Sequence, residues 1–145
     1  MANARASLLS DLLCFDLYAA SRAVTKAYGP LLADLDLTYP QYLVMIALWQ
    51  SQPLGVKELA QRLSLDSGTL SPLLKRLESA GLVTRTRSSD DEREVSIGLT
   101  AKGRALQSKA AVVCAAMTRT FGMSHEEIRQ LQSTLRQIRA RMLDE

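Results

Sequence analysis

Leu70, Leu73, Leu74 and Leu77 stand at the i, i+3, i+4 and i+7 spacing of an amphipathic helix. The opposite face collects Pro72, Lys75, Arg76 and Ser79, with Ser71 at its shoulder, and is therefore basic and hydroxylated. Pro72 is comfortable only in a first turn, which predicts a regular helix from near Thr69 with residues 66–68 in a turn. Gly81 followed by Leu82 fits a left-handed stop in which Leu82 folds back on Leu77. So short a helix needs a partner for its leucines. Val56-Lys-Glu-Leu-Ala-Gln-Arg-Leu63 supplies one, with Leu59, Ala60 and Leu63 on one side. Beyond Leu82 the period changes to two: residues 83–87 and 94–99 alternate, burying Val95, Ile97 and Leu99, and a charged loop joins them.

Helix, turn, helix and charged hairpin follow one another in the order of a winged helix-turn-helix, here at about residues 54–99. An ordinary helical hairpin beside a β-hairpin would account for each piece separately. It explains less well why cations gather on the second helix's outer face and on the hairpin.

The flanking sequence is helical. Residues 7–28 carry Leu9, Leu12, Ala19, Ala20, Ala23 and Ala27 on one face, with Gly29-Pro30 as the expected end. Cys14 projects elsewhere, with Ser10, Tyr18, Ser21 and Thr25. After a turn of helix at 31–35, Thr38-Tyr-Pro-Gln41 reads as a capping box opening an almost wholly apolar helix through Leu43, Met45, Ile46, Leu48 and Trp49, the expected rod of the core. Thr100 caps a helix expected to run to about Thr120, and Ser124-His-Glu-Glu127 opens a last one with Ile128, Leu131, Leu135, Ile138 and Met142 at helical spacing. Apolar-striped helices at both ends, about 7–28 and 101–143, point to a dimer interface; covering one another in a monomer is the alternative. The expected fold is a single domain of 145 residues, mainly α with a small β-hairpin wing.

Composition changes little: 18 basic and 15 acidic residues leave a net charge of +3, compatible with nucleic acid but too weak to argue for it. Asp11 and Asp16 interrupt the apolar run that follows Arg5, and nothing approaches the roughly 18 apolar residues of a membrane span. A cytosolic protein is the expectation, with no membrane partner. Two cysteines and one histidine are poor material for a metal site, no glycine-rich phosphate loop is present, and no histidine lies near a plausible nucleophile. Neither an enzyme nor a cofactor is expected. Cys14 stands out because Tyr18, Tyr28, Tyr39 and Tyr42 surround it in the sequence pattern, and phenol hydroxyls can donate to a thiolate and favour its ionised form. A lone cysteine is otherwise more often a small buried hydrophobe, a reading that fits Cys114 among alanines and valines still better.

Leu73-Leu-Lys-Arg-Leu-Glu-Ser-Ala-Gly-Leu-Val83 and the Asp91-Glu-Arg93 wing resemble the MarR family of dimeric repressors. Leu13-Cys-Phe15, Thr25-Lys-Ala-Tyr28, Leu37-Thr-Tyr-Pro-Gln-Tyr-Leu43 and Leu65-Asp-Ser-Gly-Thr-Leu70 are similar to the branch of organic hydroperoxide resistance regulators, OhrR, over about residues 8–105. The resemblance implies that Cys14 is the peroxide-reactive thiol, that Tyr28 and Tyr39 hold its thiolate across a homodimer interface, and that Cys114 of the other subunit resolves the oxidised sulfur as an intersubunit disulfide. It also implies release of a palindromic double-stranded DNA operator and derepression of an organic hydroperoxide reductase gene. An unreactive core cysteine is the alternative for Cys114.

On the DNA side, Ser71, Lys75 and Arg76 are the expected base readers, with Ser67 and Thr69 supporting at the helix start. Arg85, Arg87 and Arg93 are expected at the wing or on phosphates, with Asp91 holding Arg93 by charge pairing; a solvated hairpin is the plain alternative. Two rivals stand beside the redox repressor. One is a MarR-like repressor released by a small aromatic ligand without redox chemistry; the other is a thiol peroxidase, for which the chain lacks a CxxC.

Overall fold

The computed structural model describes residues 8–91 and 93–143; Arg5, the expected helix start at Ser7, and Glu92 of the wing lie outside them. A short 3-10 turn, Leu9–Asp11, precedes α1 (Leu13–Leu32). A second 3-10 turn leads to α2 (Tyr39–Gln50), then β1 (Leu54–Gly55), α3 (Val56–Leu63) and α4 (Ser67–Ser79). The chain continues as β2 (Val83–Arg87), β3 (Val95–Leu99), α5 (Ala101–Ala105), α6 (Gln107–Phe121) and α7 (His125–Leu143). Among the described residues no single helix is long and apolar enough to cross a membrane.

Helix α2 is the central rod that its composition predicts. Tyr42, Val44, Met45, Ala47 and Leu48 are buried, and α1, α3, α4 and β3 pack around it. Its start is the expected capping box: the Gln41 N–H donates to Thr38 Oγ1 at 3.4 Å, and the Thr38 N–H to Gln41 Oε1 at 3.0 Å. The leucine stripe of α4 is buried at Leu70, Leu74 and Leu77 and half-buried at Leu73. The helix ends in a Schellman turn, with Gly81 at φ 73°, its N–H on Glu78 O and the Leu82 N–H on Leu77 O at 3.0 Å.

Five sequence expectations need correction. The first helix begins at Leu13, after an extended Leu12, and runs through Gly29-Pro30 to Leu32. Gly29 offers no Cβ for the prolyl ring to strike, and burial of Leu32 draws the last turn into the core. Helix α4 starts at Ser67 because Asp66 caps it, accepting the Thr69 N–H at 2.7 Å; Pro72 therefore lies inside the helix. The helix after Thr100 is two pieces meeting at Leu106. The wing has a third strand, β1, in the order β1-β3-β2, with Leu54 opposite Ile97 and Val83 opposite Leu99. Asp91 accepts the backbone N–H of Arg93 at 2.9 Å, and among the described residues no ion pair joins the two.

Within the chain α1 packs on α6, but much of the terminal apolar surface stays uncovered. Leu9, Leu13, Val112, Leu131, Leu135 and Met142 remain exposed, and α7 buries none of its residues. Apolar surface of this extent marks a candidate interaction face.

Thr38→Ala removes one half of the α2 capping box and is expected to lower stability by about 1 kcal/mol, with Thr38→Ser retaining most of it. Urea denaturation at one fixed protein concentration measures this; an unchanged midpoint for Thr38→Ala would show that the cap contributes nothing.

Candidate DNA-reading face and thiol site

Ser67, Thr69, Ser71, Lys75 and Arg76 are all exposed on α4, opposite the buried leucines. Ser67, Ser71 and Lys75 follow one another at intervals of four and so form one row along the helix. Beside it the wing contributes Arg85, Arg87, Asp91 and Arg93, all exposed. Arg85 faces back toward the helix, its Nε 3.9 Å from Glu78 Oε2, which ties β2 to α4.

Between the wing and the start of α3 lies a groove of about 1210 Å³ in which Lys57 joins Arg85, Arg87 and Arg93. Lys57 was not among the residues read from the sequence, where it is one charge on a short amphipathic helix. Only the pairing of β1 with β3 brings it to the wing, and a two-residue strand leaves no periodic signal. The groove also holds Glu58, Asp91 and Glu94, so its positive charge is local.

The second constellation joins α1, α2 and α6. The rings of Tyr28 and Tyr39 stack with centroids 4.4 Å apart, and Tyr42 stands 5.6 Å from Tyr28. The Tyr42 hydroxyl donates to the carbonyl of Ala110 on α6 at 3.5 Å, fixing the cluster against the helix that carries Cys114. Burial pushes the Tyr28 phenol up from 10.0 to about 12, with Tyr39, Tyr42 and Cys114 adding to the effect. Burial also raises Tyr39, and burial followed by Cys114 and Tyr39 raises Tyr42. All three hydroxyls therefore keep their protons and can donate throughout the neutral range.

Within one chain this cluster is bonded to the helix that carries Cys114 and lies far from Cys14. Cys14 and Tyr28 both ride on α1, fourteen residues apart (28 − 14), which is roughly 21 Å along the helix at 1.5 Å per residue. Both thiols are free and exposed. Tyr18, one turn beyond Cys14, is also exposed and accepts a hydrogen bond from Arg22 at 2.9 Å. The sequence pattern sets Tyr42 among the tyrosines around Cys14; in the fold it links the cluster to α6. The contact spans 68 residues of sequence and carries no local signal. Among the described residues no group of His, Cys, Asp or Glu is placed to hold a metal ion.

Comparison with known proteins places the chain in a family. The MarR family model matches residues 37–95. Over 127 residues the chain is 49% identical to the organic hydroperoxide resistance transcriptional regulator of Bacillus subtilis, covering 88% of this chain and 86% of that one. The chain belongs to the MarR family. As a MarR-type transcriptional regulator it also superposes on reduced AbfR of Staphylococcus epidermidis bound to DNA, with a TM-score of 0.80 at 32% identity over 93% of this chain and 94% of that one. Against the disulfide-formed AbfR the TM-score is 0.67 at 33% identity, over 90% and 91% of the two chains. The backbone of this MarR protein is thus more like the reduced relative than the disulfide-linked one.

The Tyr28 phenol gives a test of the buried cluster. The unfolded chain loses this proton near pH 10 and the folded chain near 12. The stabilisation from the raised value is thus complete below pH 10 and is lost as pH rises through 12. Tyr28→Phe should flatten the fall in melting temperature across that window. An alkaline slope identical to that of the unaltered protein would place Tyr28 in water.

Proposed function

We propose that the protein is a homodimeric, cytoplasmic repressor released from a palindromic DNA operator when an organic hydroperoxide oxidises Cys14. One observation carries the reading. Tyr42 of the tyrosine cluster bonds to Ala110 on α6, the helix that carries Cys114, whereas Cys14 lies roughly 21 Å from Tyr28 along α1, so that a second chain is needed to bring a Cys14 to the tyrosines. The open apolar stripes of α1, α6 and α7 supply the surface for that second chain. The similarity to a regulator named for organic hydroperoxide resistance supports the oxidant, and the DNA-bound and disulfide-formed structures of AbfR support the two end states.

The chemistry balances without a cofactor. The Cys14 thiolate attacks the distal oxygen of the hydroperoxide, the O–O bond breaks, and the alkoxide leaves as an alcohol after taking a proton, with sulfur oxidised to a sulfenic acid. Tyr28 and Tyr39 of the other subunit hold the thiolate by hydroxyl donation. Cys114 of that subunit then attacks the Cys14 sulfur, an S–S bond forms, the S–O bond breaks, and the oxygen departs as water. Joining α1 of one subunit to α6 of the other shifts the spacing of the two α4 helices. A loss of about 3 kcal/mol weakens binding more than a hundredfold, enough to derepress a target such as an organic hydroperoxide reductase gene.

On DNA, Ser71, Lys75 and Arg76 read base edges with Ser67 and Thr69 at the helix start, while Arg85, Arg87 and Arg93 meet phosphates and Asp91 shapes the wing turn through the Arg93 N–H. Lys75→Ala should weaken binding to an operator selected from a random pool, and Arg93→Ala should reduce the salt dependence by about one unit of slope. Unchanged affinity and slope in both would remove this assignment.

The redox reading is tested by gel shift on that operator before and after stoichiometric cumene hydroperoxide, with Cys14→Ser and Cys114→Ser alongside. Peroxide should release the unaltered protein and leave Cys14→Ser bound. Equal release of Cys14→Ser would end the redox reading and leave a repressor answering to a small ligand.

A further inference from the structure

The turn that follows α4 is held by the start of α5. The carbonyls of Arg76, Leu77 and Glu78 are taken within the turn that ends α4; the three that follow Ser79 are all taken by Thr100 and Lys102. Lys102 Nζ donates to Ala80 O at 3.0 Å, Thr100 Oγ1 to Gly81 O at 2.6 Å, and the Thr100 N–H to Leu82 O at 3.1 Å. The same Thr100 hydroxyl accepts the Gly103 N–H at 3.0 Å, capping α5 while it binds the turn after α4. A Cβ at Gly103 would overlap the Leu82 carbonyl, so the two backbones touch with no side chain between them. From the core side, Trp49 at the end of α2 donates its indole N–H to Gly103 O at 2.9 Å. Eight residues beyond the break at Leu106, roughly two helical turns, α6 carries Cys114.

We infer that Trp49, Thr100 and Lys102 are positioning residues that pass a movement of the Cys114-bearing helix to the recognition helix α4. The inference rests on the redox reading above and adds the residues through which oxidation is felt at the DNA. The geometry is directional. Three hydrogen bonds and a backbone contact join α5 to the turn that ends α4, and Trp49 ties that joint to the rod that also bears Tyr39 and Tyr42. A pull on α6 therefore turns α4 with it instead of being absorbed in a soft loop.

Trp49→Phe, which keeps a ring but no donor, and Lys102→Met are made in the full chain, singly and together, with Lys102→Arg as the variant that keeps a donor. Oxidation by cumene hydroperoxide is followed on non-reducing gels, and operator affinity is measured in the reduced and oxidised states. The cysteines should oxidise at the unaltered rate, while the peroxide-induced loss of affinity shrinks by about fivefold or more in the double variant. Lys102→Arg should respond as the unaltered protein does. Because Lys102 is exposed, the single Lys102→Met variant reports on the joint even if the double variant fails to fold. An unaltered ratio of oxidised to reduced affinity in the variants, or a loss of response that comes with a failure of the cysteines to oxidise, would overturn the inference. If the unaltered protein oxidises fully and stays on its operator, the redox reading fails and the joint with it, having no signal to carry; if it releases and the variants release equally, only the joint fails.

Discussion

A helix apolar on every side has to be enclosed, and the enclosure of α2 organises the rest of this protein. Its burial recruits Leu32 from α1, Leu59 from α3, Leu70, Leu74 and Leu77 from α4, and Ile97 from the sheet into one core. The two ends of the rod then do different work. At its start, Tyr39 stacks on Tyr28 with Tyr42 tilted beside them, and Tyr42 reaches the helix that carries Cys114; at its end, Trp49 binds α5 where α5 holds the turn after α4. The thiol region and the DNA-reading head thus share one stiff element, with little loop between them.

The same enclosure explains what one chain leaves open. With the core filled, the apolar residues at the start of α1 and along α7 find no room on it, and Leu13, Leu131 and Met142 face water. A second chain covers such stripes more readily than a rearranged first one, because α2 has no face left to offer. In the proposed dimer the second chain would also supply what Cys14 lacks in its own chain, a set of protonated phenol donors, so that one surface would hide the leucines and bring sulfur to tyrosine.

Local pattern made much of this legible. Helix α3 occupies the residues its apolar spacing marks out, the capping boxes at Thr38 and Ser124 form as their spacing requires, and Gly81 stops α4 in the left-handed conformation. Where rules compete, the pattern misleads. Pro30 suggested a helix end, yet Gly29 before it removes the steric reason, and Pro72 suggested a late helix start although Asp66 was the stronger signal. What is not local was not legible. The pairing of Leu54 with Ile97, the placing of Lys57 beside the wing, the contact of Tyr42 with Ala110 and the close approach of Gly103 to Leu82 join residues far apart in sequence. The exposed basic face of α4 could be read from periodicity alone; the partner of each thiol could not.

The central claim is that Cys14 of one subunit meets Cys114 of the other, and a mixed dimer tests it most directly. Chains carrying Cys14→Ser and Cys114→Ser, tagged differently and refolded together, hold one intact cysteine of each kind, on opposite subunits. Stoichiometric hydroperoxide should link them into a covalent dimer bearing both tags, while neither variant alone gives that band. If the mixed dimer assembles, its Cys14 oxidises and no such band forms, the two thiols do not meet across the interface, and the disulfide switch is wrong.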